Sequence, residues 1–188
     1  MKKKIILEIA IIGVMASLAI VLEKFSIPRG NSYLKFTFYG LPLLLVGCMW
    51  GAKVGLLTGL VSSFVMQLTS EWGLSITTPL WMMAPICWGG VSGLVFYLLK
   101  RKNTLPNMFI VSFITSILAT LLNTIAMVVD GVVYGGDFLT VIANVITNLP
   151  PRLISMVILG VCYAILLWIL IKRLSFLTSV REEEPEED

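Results

Sequence analysis

The chain has 188 residues, 57% hydrophobic and 13% charged, with a mean hydropathy of +0.94. A soluble domain carries roughly 25% charged residues, so the composition excludes a water-soluble globular protein and points to an integral membrane protein. The net charge of +3 hides an asymmetry, because six of the 11 acids crowd into residues 182–188. That tail is expected to be solvated and disordered.

The apolar segments are continuous and do not alternate, which predicts membrane helices rather than a barrel. The length suits about six spans of about 20 residues with short loops. The expected organisation is one compact six-helix membrane domain over residues 1–173, followed by the acidic tail over 174–188.

The first span is read over 5–25, after the run Lys2-Lys3-Lys4. The start resembles a signal peptide, but the apolar run reaches Leu22 without a small-x-small cleavage site, so it is read as a membrane helix. Gly13 and Ser17 stand four residues apart, with Ala10 and Ala16 beside them. Small residues let helix backbones approach closely, either inside one bundle or against a partner protein.

The second span is short, 35–48, and Lys35 at its start either snorkels to the interface or meets an acidic ligand group. The tight link Trp50-Gly51 leads to a third span over 52–68. Span four, 79–99, carries Trp81 and Trp88 seven residues apart on one face, and Trp72 precedes them in the loop. Trp72 and Trp81 fit an interfacial aromatic belt or a ligand-stacking wall, while Trp88 lies deep enough to pack. Pro79 and Pro85 flank a potential distortion. The stretch Trp88-Gly89-Gly90-Val91-Ser92-Gly93 reads as a close-packing surface.

Span five, 108–129, places Asn123 and Thr124 in its outer half. Asn123 either bonds another helix or binds a ligand. Residues 137–149 fit an interfacial helix or an early start to span six, 150–171. Asn144, Asn148 and Arg152 recur every four residues, so one face presents all three if the helix continues through Pro150. Alternatively Pro150-Pro151 begin the helix, with Asn148 near its N-cap and a positive dipole end beside Arg152. Ionisable groups in a membrane helix are costly and mark functional sites. Arg152 therefore either binds a carboxylate or phosphate, or pairs with Asp130, Asp137 or Glu71 and locks loops.

Basic residues test the order of spans. Lys2 to Lys4, Lys53, Lys100 to Lys102, and Lys172 with Arg173 fall in alternate loops. The positive-inside rule then puts both termini in the cytoplasm. Arg152, at the head of span six, is thereby placed on the outer side.

Enzymatic chemistry finds little support. There is no histidine, which removes the commonest general base and metal ligand. No Walker A, His-Glu metal motif or GxSxG sequence occurs. Cys48, Cys87 and Cys162 lie in apolar runs without CxxC spacing and read as packing residues. No metal, cofactor or nucleic-acid partner is expected. Binding or transport is the expected class.

The segments Leu22-Glu23-Lys24-Phe25-Ser26-Ile27-Pro28 and Tyr33-Leu34-Lys35-Phe36, then Leu41-Pro42 and Gly47-Cys48-Met49-Trp50-Gly51, resemble one known family. They look like the first outer loop, the proline-containing second helix and the glycine turn of the substrate-binding S component of energy-coupling factor (ECF) vitamin transporters. The likeness covers most of residues 5–173.

The resemblance implies a multi-pass cell-membrane protein that binds a water-soluble vitamin tightly. It implies partners too: a transmembrane scaffold subunit and two cytoplasmic ATPase subunits, which would hydrolyse the ATP. The family docks to its scaffold through Ala-x-x-x-Ala on the first helix. Here Gly13-x-x-x-Ser17 keeps small residues but departs from the alanines.

The first loop and the region of Arg152 look nearest the folate and pantothenate members, whose substrates are carboxylates. Folate-type members carry a Pro-Gly-Phe segment before span four. This chain has Ser75-Ile76-Thr77-Thr78-Pro79-Leu80-Trp81, which leans toward pantothenate. The expected ligand set is Arg152 and Lys35 for the anion, Trp72 and Trp81 for the apolar part, and Asn123, Asn144 and Asn148 for amides. Readings from other classes are a stand-alone small-solute carrier and a ligand-free membrane assembly protein.

Overall fold

The computed structural model describes residues 2–25, 27–28, 35–71 and 73–174. Among the described residues six helices run in chain order: α1 Lys2–Lys24, α2 Gly40–Trp50, α3 Ala52–Leu68, α4 Thr78–Leu98, α5 Leu105–Val133 and α6 Phe138–Leu174. The six-helix expectation holds. The extended structure among the described residues is a two-residue ribbon, β1 Ile27–Pro28 antiparallel to β2 Lys35–Phe36. The acidic tail beyond residue 174 and Trp72 lie outside the described residues.

The bundle is built around its shortest helix. With 11 residues, α2 spans only about 16 Å at 1.5 Å per residue, against a hydrocarbon thickness of about 30 Å. It is apolar on every side, and Leu43, Leu44 and Val46 are completely buried. A helix hydrophobic all round belongs in the interior, and α1, α3, α4 and α6 surround it. Gly51 closes the turn into α3 at φ +94°, a backbone state that side-chain-bearing residues disfavour.

The tightest packing joins α3 to α4, and α2 to α4, through glycines. A Cβ at Gly89 would collide with the carbonyl of Gly55, and one at Gly59 would stand 2.6 Å from the carbonyl of Pro85. Backbones touch here without side chains between them, as close helix packing in lipid requires. Ser112 adds a cross-helix tie, donating to the carbonyl of Gly160 at 2.8 Å between α5 and α6.

At the edge of the bundle lies α1. Ile5, Ile6, Ile9, Val14 and Val21 are exposed, while Ala16 and Ala19 face inward. With lipid as the surrounding solvent, this apolar surface carries no penalty.

One alternative is decided against the proline reading of span six. The helix does not start at Pro150: α6 begins at Phe138 and runs 37 residues through Pro150 and Pro151. Asp137 caps it, accepting from the backbone N–H of Thr140 at 3.3 Å and from its hydroxyl at 3.4 Å. Each proline removes one helical hydrogen bond. Two contacts hold the segment helical: Val141 packs into the space left by Gly131, and Asn148 donates to the carbonyl of Asn144 at 2.8 Å.

Candidate functional site

Side-chain contacts link stripes on three helices: Arg152 of α6 reaches Met127 of α5, and Trp81 of α4 reaches Asp130 of α5. On α4, Trp81, Ala84, Pro85 and Trp88 share a face; on α5, Asn123, Met127 and Asp130; on α6, Val141, Val145, Asn148 and Arg152. The spacings of three and four residues produce those stripes. Ala84, Pro85, Trp88, Val141 and Val145 are buried, with the Pro85 carbonyl against Gly59 of α3 and Val141 against Gly131 of α5.

Tyr39, at the entry to α2, joins the stripes. Its hydroxyl lies close to Trp88 and Asn123, in the neighbourhood of Glu23 and Arg152. Tyr163 of α6 sets the height of this entry by donating to the carbonyl of Thr37 at 2.8 Å. Its ring meets Trp88 edge-on at 5.5 Å and 84°. Gly40 leaves space for both rings, since a Cβ there would stand 3.1 Å from Tyr163. Tyr163→Phe is expected to cost about 0.5–1.5 kcal/mol, the net worth of one hydrogen bond, read as a lower thermal midpoint in detergent.

Arg152 is partly buried. Its Nη1 donates to the thioether of Met127 at 2.7 Å, and a thioether is a weak acceptor. Among the described residues it forms no ion pair with Asp130, Asp137 or Glu71. Asp137 caps α6, and Asp130 accepts from the Thr77 hydroxyl and from Trp81 Nε1 at 3.3 Å. Thr77 itself is held by Ser75 at 3.0 Å in the turn that opens α4.

The outer end of α1 contributes Glu23, whose Oε2 lies 3.5 Å from Lys24 Nζ without a hydrogen bond. Lys24 also donates to the carbonyl of Thr69 at 2.9 Å, tying α1 to the loop after α3.

Of the residues expected from sequence, Arg152, Asn123 and Trp81 stand on the converging stripes and Asn148 on the packed side of α6. Asn144 is exposed at the edge of that stripe. The backbone of Lys35 lies in β2, while its side chain, like Trp72, falls outside the described residues. Trp88 packs, as expected, and also reaches Tyr39. Sequence reasoning missed Tyr39, Met127 and Tyr163. Tyr39 left one signal, an aromatic hydroxyl beside Gly40 at the start of an unusually short span.

The first helix divides the proposed docking set. Ala10, Gly13 and Ser17 are exposed, and Ser17 folds its hydroxyl back onto the carbonyl of Gly13 at 2.8 Å. Ala16 is only 2% exposed and packs inward.

The family model for the substrate-specific component of ECF transporters matches residues 7–180. The chain belongs to this family. It is thus a multi-pass cell-membrane protein that serves as the substrate-binding subunit of a transporter, working with other ECF components. Among solved structures, it is similar to one described as the crystal structure of FolT bound with folic acid. The two share 22% identity and a TM-score of 0.65, over 88% of this chain and 94% of that one. At that identity the likeness establishes the S-component fold. No curated protein matches the sequence. Family membership sets aside the stand-alone carrier and ligand-free assembly readings.

Proposed function

We propose that this S component captures a carboxylate-bearing vitamin, of the pantothenate or folate kind, from the outer side of the membrane. One observation carries the reading: the Arg152 guanidinium sits partly buried among the converging stripes with a thioether as its hydrogen-bond acceptor. A guanidinium presents five donors in a fixed fork matched to a carboxylate, so most of its capacity is left for a ligand. Asn123 and Asn148 supply amide contacts and Trp81 walls the apolar portion; Lys35 for the anion and Trp72 for the apolar part remain candidates from the sequence alone. Asn144 belongs to its rim. The neighbouring structure's folic acid, itself a carboxylate, is consistent with this chemistry. The absence of Pro-Gly-Phe before Trp81 favours pantothenate.

Transport is completed by partners, a transmembrane scaffold subunit and two ATPases that supply the energy. Ala10, Gly13 and Ser17 offer the scaffold a face of small residues, since nothing lies within 4 Å of the position a Gly13 Cβ would take. Gly13→Leu is therefore expected to leave ligand affinity and thermal stability unchanged. ATP-dependent uptake by the assembled transporter should fall sharply. Unchanged uptake would remove this face from the docking surface.

The functional reading is tested by thermal-shift and calorimetric screening of purified protein against the B vitamins. A carboxylate vitamin should bind most tightly. A preference for thiamine, which has no carboxylate, would defeat the proposal.

A further inference from the structure

Two opposite charges, Arg152 on α6 and Asp130 on α5, stand on adjoining helices and form no ion pair among the described residues. Arg152 is held on Met127. Asp130 lies three residues further along α5, about 4.5 Å outward along the helix axis at 1.5 Å per residue. Attraction would draw an unrestrained pair together. Asp130 is restrained: the Thr77 hydroxyl and the Trp81 indole N–H both donate to its Oδ1. Its Oδ2 takes no hydrogen bond from the described residues and is not buried. One carboxylate oxygen thus keeps its acceptor capacity, on a residue that shares an α5 face with Asn123 and Met127.

We propose that Asp130 is the acceptor pole of the ligand site. Resting on the reading of Arg152 as the carboxylate receptor, it narrows the substrate class. The ligand is a carboxylic acid that also carries a hydrogen-bond donor, a hydroxyl, amide N–H or amino group, several bonds from the carboxylate. Arg152 takes the acid and Asp130 Oδ2 takes the donor. Trp81, fixed by the same carboxylate, lies beside the connecting atoms. A site with a charged acceptor selects against analogues lacking the donor, because binding them strips water from Asp130 without replacing its hydrogen bond.

The test is calorimetric titration of the purified full chain with five carboxylic acids. Pantothenate, folate and biotin carry donors; lipoate and nicotinate carry none. A donor-bearing acid should bind best in the wild type. Asp130→Asn keeps an acceptor oxygen for Thr77 and Trp81 but removes the charge. It should weaken that acid about tenfold or more and shift lipoate and nicotinate by less than about threefold.

Tightest wild-type binding of lipoate or nicotinate overturns the proposal, and that comparison decides the matter even if Asp130→Asn does not fold. So does an unchanged affinity in Asp130→Asn while Arg152→Ala still weakens binding. An unaffected Arg152→Ala instead defeats the underlying carboxylate reading, and binding of none of the five acids defeats both.

Discussion

Arg152→Ala is expected to weaken ligand binding about 10- to 100-fold, from the 1.5–3 kcal/mol typical of a hydrogen bond to a charged group. The substitution removes the cation without leaving a buried acid unpaired, because Arg152 forms no ion pair among the described residues. The fold should therefore persist, and the loss should appear in affinity rather than in thermal stability. Arg152→Lys should recover only part of the affinity, since an ammonium lacks the planar fork that grips both carboxylate oxygens. Calorimetry on detergent-purified protein reads both variants. Full affinity in Arg152→Lys would indicate a point-charge contact instead of a bidentate one.

The second large effect is on stability. Gly89→Ala should destabilise the bundle by about 1–3 kcal/mol, the usual cost of overpacking a filled core. The added methyl meets the backbone carbonyl of Gly55 rather than the end of a flexible side chain, so relief requires helix movement. Gly55→Ala faces the carbonyl of Gly89 in the same way and should cost a similar amount. Thermal unfolding in detergent reads both. By contrast Gly90, whose nearest neighbour is the Leu56 side chain 3.4 Å from its Cβ position, should accept alanine with little change.

Much of the architecture follows from one-dimensional pattern. Continuous apolar runs, alternate basic loops and the shortness of the second span are properties of composition along the chain, and they survive folding. The Gly-rich stretch in α4 was likewise legible, because small residues in a membrane helix have few uses besides close approach. The start of α6 was not settled by sequence. Two prolines after Asn148 argue locally for a helix start, but the Asp137 cap and the Val141 contact with Gly131 extend the helix across them. Tertiary contacts outweighed the local preference.

The candidate site was legible only in part. Arg152 announces itself, since a charge in an apolar helix is conspicuous in any register. Its relation to the acids was not readable, and three candidates fitted. Asp130 is engaged by Thr77 and Trp81, residues 53 and 49 positions away in sequence, and no spacing rule reaches so far. Tyr39, just ahead of α2, lies close to Trp88 of α4 and Asn123 of α5, with which it shares no sequence neighbourhood. Ala16 shows the limit of spacing on a single helix: it lies one residue from Ser17, about 100° round the helix, and is buried where Ser17 is exposed.

In the proposed site the Arg152 guanidinium holds a ligand carboxylate. The most direct measurement titrates acid and neutral counterpart in parallel, pantothenate with pantothenol and folate with its carboxamide, into wild type and Arg152→Ala. The wild type should favour the acid of the bound pair by about tenfold or more, and Arg152→Ala should bind acid and neutral form within about twofold of each other. An acid preference that survives intact in folded Arg152→Ala would contradict the account.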